Sequence, residues 1–237
     1  MRVLIKYHNN IQIAILLDTP EYQFYITVKL DHNTNQDILM SGIVEWARVK
    51  EENMTKLSKS KKKIIEKSEE LGIKYEAKYK ACGPCTFLAI VDALRWGGLE
   101  IMDQDIEDRF FSGTCVLTAG VAMTGDGTCG AVASSAMAIA SALSIPRERP
   151  IENSLRSACA SVRNTILEKY YQEYRSILCK DVQRKFFGRA WDLARDDMSH
   201  EFLKITRGCT ILQTAKWTTE IILNEFEKGN VNITPIA

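Results

Sequence analysis

Gly125-Asp126-Gly127-Thr128-Cys129-Gly130-Ala131-Val132-Ala133-Ser134-Ser135-Ala136-Met137-Ala138-Ile139-Ala140-Ser141-Ala142-Leu143 is the stretch on which the fold turns. Glycines 125 and 127 supply a turn, Thr128 can cap free backbone donors, and Cys129 then falls in a first helical turn. The side chains that follow are mostly alanine and serine, so neighbouring backbones can approach closely. This predicts a central packing helix over 129–144, which could also form a homodimer seam. The run is apolar, yet it stops short of the ~20 residues that a membrane crossing needs. It is bounded by the Gly-Asp-Gly turn and by Pro146.

Outward from this helix, apolar residues recur with helical spacing over 84–95, 103–116, 151–178, 180–187 and 209–227. The N-terminal end differs. Residues 2–7, 11–17 and 22–30 are rich in Val, Ile, Tyr and Phe, and turn-like His8-Asn9-Asn10 and Asp18-Thr19-Pro20-Glu21 separate them. The expected fold is mainly α: a helical bundle-like cysteine domain over 51–237, with a small N-terminal antiparallel β meander plus a short helix over 1–50. The basic run at 56–63 continues into a mixed-sign helical stretch and reads as a solvated helix face.

A chain of 237 residues that is 46% hydrophobic can bury a substantial core. Its net charge of +1 selects no nucleic acid or acidic substrate. Met1-Arg2-Val3-Leu4-Ile5-Lys6-Tyr7-His8 lacks the apolar core of a signal peptide, so a cytoplasmic location with no membrane attachment is expected. Cysteines stand at 82, 85, 115, 129, 159, 179 and 209. An odd number without an export signal argues against a disulfide framework and for core, metal-binding or redox roles.

Several of these cysteines fall at predicted helix starts. Cys82-Gly83-Pro84-Cys85 opens one helix, with proline suited to the first turn. Gly208-Cys209 precedes another, and Cys179 follows a break at Arg175-Ser176, where Ser176 can cap. Unpaired N–H groups and the helix dipole favour a thiolate at such an end. Converging ends would suit a thiolate pair, a disulfide couple or a four-thiolate metal cluster alike. Cys82-Gly83-Pro84-Cys85 matches the thioredoxin tetrapeptide, but no strand precedes it and no βαβ pattern surrounds it. Cys115 and Cys159 follow no cap and are expected in the core. Arg189 and Asp192 are assigned to a turn.

From about residue 60 onward the chain resembles the redox-active proteins named for their C_GCAxxG_C_C cysteine pattern. The resemblance is carried by Cys85 ahead of an Ala/Leu-rich helix, by Thr124-Gly125-Asp126-Gly127-Thr128-Cys129-Gly130-Ala131, by Cys179, and by Cys209 before Ala215-Lys216-Trp217. Phe187-Gly188-Arg189-Ala190-Trp191-Asp192-Leu193 adds to it. Ser134 stands where the pattern has glycine. The resemblance implies Cys85, Cys129, Cys179 and Cys209 as redox or ligand residues, with Cys82 as an additional candidate. It further implies an iron–sulfur cluster or thiol/disulfide cycling, with electrons passed to a redox partner protein. The alternative is a structural zinc site or scaffold without turnover. No Cys-x-x-Cys-His occurs, so no covalent haem is expected.

Overall fold

The computed structural model describes the backbone of residues 2–8, 10–18, 23–29, 57–143 and 151–231, with side chains over 57–143 and 155–231. The chain divides into two compact units, Met1–Lys56 and Leu57–Ala237. In the first, β1 (Arg2–His8), β2 (Asn10–Asp18) and β3 (Gln23–Lys29) pair antiparallel in the order β1-β2-β3. The short helix expected within 37–50 lies outside the described residues.

The second unit is helical. Helix α1 (Lys61–Tyr79) buries Ile64, Ser68, Leu71 and Gly72, one stripe at helical spacing. Its charged residues point outward, and it stops where Lys80 turns left-handed at φ 53°. Helix α2 (Cys82–Trp96) is buried over most of its circumference, including Phe87, Ile90, Val91 and Leu94. It is the hub, packing on α1, α3 (Gln104–Cys115), α4 (Gly130–Leu143) and α9 (Ile211–Glu227). In α4 the small residues Ala131, Ser134, Ser135 and Ala138 are completely buried, so Ser134 meets the same size limit as glycine would.

The segment expected as one helix over 151–178 is α5 (Ile151–Val162), a π-helical turn (Arg163–Leu167) and α6 (Glu168–Tyr174). Arg175, at φ 62°, ends it at the predicted break. Then follow α7 (Cys179–Phe187), which ends at left-handed Gly188, and α8 (Asp196–Ile205), which the periodicity missed. Helix α8 has no fully buried residue; its short apolar face, Met198 and Phe202, packs partly buried against the Trp191 cluster.

Between α3 and α4 the chain does something that no sequence pattern foretold. Ala119, Gly120, Val121, Ala122 and Met123 all have φ between 49° and 79°, a run of left-handed backbone. Hydrogen bonds hold it, among them Ala122 N–H to Val116 O (2.7 Å) and Gly125 N–H to Ala119 O (2.9 Å). Among the described residues no helix is long and apolar enough to cross a membrane.

Helix α3 offers a clean check on this framework. Asp103 accepts a hydrogen bond from the Ile106 N–H at 2.9 Å, capping the N-terminus. Asp103→Ala is expected to cost about 1 kcal/mol of unfolding free energy, read from the urea midpoint at unchanged slope.

Candidate functional site

Two segments far apart in sequence are stitched together by backbone hydrogen bonds. Cys129 N–H donates to Ile177 O (2.7 Å), Cys179 N–H to Gly127 O (3.0 Å), and Lys180 N–H to Gly125 O (3.0 Å). Thr128 and Leu178 form the antiparallel bridge at the centre. This pairing sets the start of α4 beside the start of α7, and with them Cys129 and Cys179. It also uses the first free donors of α7, which therefore do not face a thiolate as the helix-start placement predicted. Ser176 supports the turn from outside, accepting from the Leu178 N–H at 3.1 Å.

Cys82, at the start of α2, completes the approach. Its sulfur lies so close to the α4 start that a Cβ on Gly130 would stand 2.7 Å from Cys82 Sγ and 2.8 Å from Leu117 O. Only glycine leaves room there. Gly120 and Gly127 are equally tight: a Cβ on Gly127 would meet Gly120 O at 2.4 Å. The left-handed run brings the Ala119 N–H to the Cys82 sulfur. Cys82 and Cys129 both face one cavity.

Within this pair the proton is unequally held. The hydrogen bond from Cys82, then the Ala131 N–H and the hydroxyls of Tyr170 and Thr210, hold Cys129 below the ordinary thiol range against the opposing effect of burial. Cys82 is raised, first by that same hydrogen bond and then by burial. Tyr170 is completely buried, with its hydroxyl 3.7 Å from Cys129 Sγ and 2.9 Å from Thr214 Oγ1. Thr210 Oγ1 lies 3.8 Å from Cys129 Sγ.

Cys179 and Cys209 stand around this pair as neutral thiols. Burial, then the charge of Cys129, pushes Cys179 up to about 12. Gln183, itself buried, donates from Nε2 to Cys179 Sγ at 3.2 Å and accepts the Trp191 N–H at 2.9 Å. Trp191, from the Phe187–Leu193 segment, thus contributes packing and this anchor. Burial also raises Cys209, whose sulfur accepts from the Thr206 hydroxyl at 3.2 Å. A cavity of about 90 Å³ opens onto Cys82, Cys129 and Cys179, with Gln183, Phe202 and Thr210 in its wall and Glu76 and Lys80 at α1. That is room for several waters or one small molecule. In the same wall the Thr118 hydroxyl is buried without a hydrogen-bond partner.

The structure thus gathers Cys82, Cys129, Cys179 and Cys209, and it corrects the placement expected for Cys85. Completely buried one turn into α2, Cys85 accepts a hydrogen bond from the backbone of Ala81 and is pushed up to about 11, chiefly by burial. It is not part of the cavity wall. Cys115 and Cys159, expected in the core, are both exposed: Cys115 closes α3 and Cys159 lies on the outer face of α5. Tyr170 and the threonines were not singled out from sequence. Their signal is the fourfold spacing of Thr206, Thr210, Thr214 and Thr218, all of them buried.

A metal cluster was among the expectations, and its fit depends on how close the donors stand. The donor type is right: three thiols line one cavity, with that of Cys209 behind Thr210. Among the described residues, however, no three Cys, His, Asp or Glu side chains meet in a group that could hold a metal ion. Cys179 and Cys209 are instead engaged by Gln183 and Thr206. As arranged, the residues do not fit a four-thiolate centre.

No curated protein and no solved structure matches the chain. A family described as "Putative redox-active protein (C_GCAxxG_C_C)" matches residues 81–221, more than half of the sequence, and spans every cysteine of the gathered site. The chain belongs to this C_GCAxxG_C_C redox-active protein family.

Proposed function

We propose that the protein is a dithiol–disulfide redox protein whose working couple is Cys82 and Cys129. The observation that carries this is the placement of Cys82 and Cys129 in the wall of one cavity, with Cys129 held below the ordinary thiol range and Cys82 above it. The oxidant we assign to this couple is a low-molecular-weight disulfide, because a thiolate beside a second thiol is the arrangement that thiol–disulfide exchange uses. The Cys129 thiolate attacks one of its sulfurs, the substrate S–S bond breaks, and one substrate thiolate leaves, taking up a proton. Cys82 then gives up its proton and attacks Cys129 Sγ, releasing the second substrate thiol and forming the Cys82–Cys129 disulfide. Two electrons pass from the dithiol to the substrate disulfide, and a redox partner of the opposite poise returns the pair to dithiol.

Iron–sulfur ligation is favoured by the number of cysteines rather than by their arrangement. Anaerobic purification with iron analysis and visible absorption separates the two. An iron-containing, coloured protein overturns the dithiol proposal, whereas colourless protein whose Cys82–Cys129 disulfide forms reversibly supports it. Retained zinc without that disulfide would point to a structural site.

Peptide mapping after mild oxidation is expected to find Cys82 joined to Cys129. Cys82→Ser and Cys129→Ser abolish this crosslink, and Cys85→Ser leaves it intact. With exposed Cys115 and Cys159 replaced by serine, alkylation at neutral pH should fall first on Cys129. Its rate declines as pH drops through the lowered Cys129 value, because only the thiolate reacts. Cys179, pushed up to about 12, stays unmodified. Gly130→Ala places a methyl group against Cys82 Sγ and Leu117 O. It should cost about 1–3 kcal/mol of stability by overpacking and slow formation of the Cys82–Cys129 disulfide.

A further inference from the structure

The hydroxyl groups around Cys129 have a direction. Thr206 Oγ1 donates to Cys209 Sγ at 3.2 Å, and the Cys209 S–H donates to Thr210 Oγ1 at 4.0 Å. Thr210 Oγ1 lies 3.8 Å from Cys129 Sγ, and toward a thiolate, which has no proton to give, it is the donor. A second path arrives from the other side of the helix pair. Thr214 Oγ1 lies 2.9 Å from the Tyr170 hydroxyl, which lies 3.7 Å from Cys129 Sγ. A thiolate can only accept, so Tyr170 must donate to it and is left to accept from Thr214. Tyr170 and Thr214 are completely buried, and Thr210 and Thr206 nearly so. Tyr170 and Thr214 are thus shielded from bulk water, while Thr206 and Thr210 border the cavity.

Resting on the dithiol proposal above, we infer that Tyr170 and Thr210 are the positioning residues that set the reduction potential of the Cys82–Cys129 couple, and that Cys209 works through Thr210 as a link in a hydrogen-bond relay rather than as an exchanging thiol. Thr210 and Thr214 lie one turn apart at the start of α9, and Thr206 closes α8 just before the left-handed Arg207-Gly208 turn. Tyr170 is delivered by α6, directly after the π-helical turn at Arg163–Leu167, a feature common at functional sites. The physical effect is one-sided. Donors that point at a thiolate stabilise the reduced protein and do nothing for the disulfide, so they raise the potential. Hydrogen bonds to a charged group are also the stronger kind, and these lie where the local dielectric is low. Cys209 fits the relay role for a further reason: its thiol is held neutral by burial while both its donor and its acceptor functions are engaged.

The test is the equilibrium of the full-length protein with glutathione redox buffer at one fixed pH, with the Cys82–Cys129 disulfide quantified by mass spectrometry. Tyr170→Phe removes only the hydroxyl, and Thr210→Val removes the other donor. Each is expected to make the couple more reducing, by about tenfold in the exchange constant or ~30 mV. Thr214→Val should act at one remove, in the same direction and more weakly. Cys209→Ala should match Thr210→Val, while Cys209→Ser, which can still accept and donate, should return the potential toward that of the unmodified protein. Melting temperatures measured alongside separate this effect from general loosening. Should Tyr170→Phe not fold, the comparison of Thr210→Val with Thr210→Ser decides the matter, the serine keeping the hydroxyl. An unchanged potential in folded Tyr170→Phe or in folded Thr210→Val overturns the inference. So does a Cys209→Ser variant as impaired as Cys209→Ala, since that outcome means the sulfur itself exchanges. If the unmodified protein forms no Cys82–Cys129 disulfide at any buffer ratio, the dithiol proposal itself has failed, which is a separate result.

Discussion

The antiparallel backbone pairing of residues 125–129 with residues 177–180 is the constraint from which the rest of the site follows. Without it, α4 and α7 would be two helix starts with no reason to share a location. With it, Cys129 and Cys179 are fixed as neighbours by main-chain atoms, independently of either side chain. The glycines of this region serve the same end. Gly127 must approach Gly120 O more closely than any Cβ allows, and Gly120 abuts the Cβ of Cys179. The turn, the left-handed run and the α7 start therefore form one closely packed body, into which the α2 start inserts Cys82.

Electrostatics then decides what four thiols in one place can be. A first thiolate in this enclosure is stabilised by the neighbouring thiol, hydroxyl and amide donors. A second would face the first across a poorly screened interior. Burial first raises Cys179 and Cys209, and the link to Cys129 and then burial raise Cys82; the charge of Cys129 adds to each, while Cys129 itself is lowered. One charge among several neutral thiols is the starting condition for disulfide exchange, in which one sulfur attacks and another resolves.

Much of this was legible in the sequence, for identifiable reasons. Glycine at 125 and 127, cysteine at 129 and small residues over one face of 130–143 could mean little other than a turn into a tightly packed helix. The structure shows that helix buried against α2 and α9. The break at Arg175 was legible from Arg175-Ser176, with Ser176 as a cap for the next helix, although the helical spacing continues as far as 178. The choice between Cys82 and Cys85 was not. Both lie in the first turn of α2, and which one faces the site depends on how deeply the helix sits against Gly130, a tertiary fact. Cys85 resembles the pattern's cysteine by its flanking residues, yet its sulfur caps the backbone of its own helix. Tyr170 was hidden for a similar reason: a π-helical turn shifts the helix register just before it, so spacing from the preceding apolar residues does not place its side chain.

The left-handed run at 119–123 shows where the fold carries strain. For residues other than glycine this conformation costs roughly 1–2 kcal/mol each. Ala119, Val121, Ala122 and Met123 all adopt it, Val121 with a branched side chain that suits it least. A connection that merely joined α3 to α4 could avoid that cost with glycines or with an ordinary turn. What this one achieves is specific: the Ala119 N–H reaches Cys82, Thr118 and Met123 complete the cavity wall, and Gly120 O receives the Gly127 N–H that precedes the thiolate turn. Strain that persists next to reactive groups has to be held by its surroundings. Here the same hydrogen bonds that hold it also define the cysteine pair, so relaxing the loop and dispersing the site would be a single event.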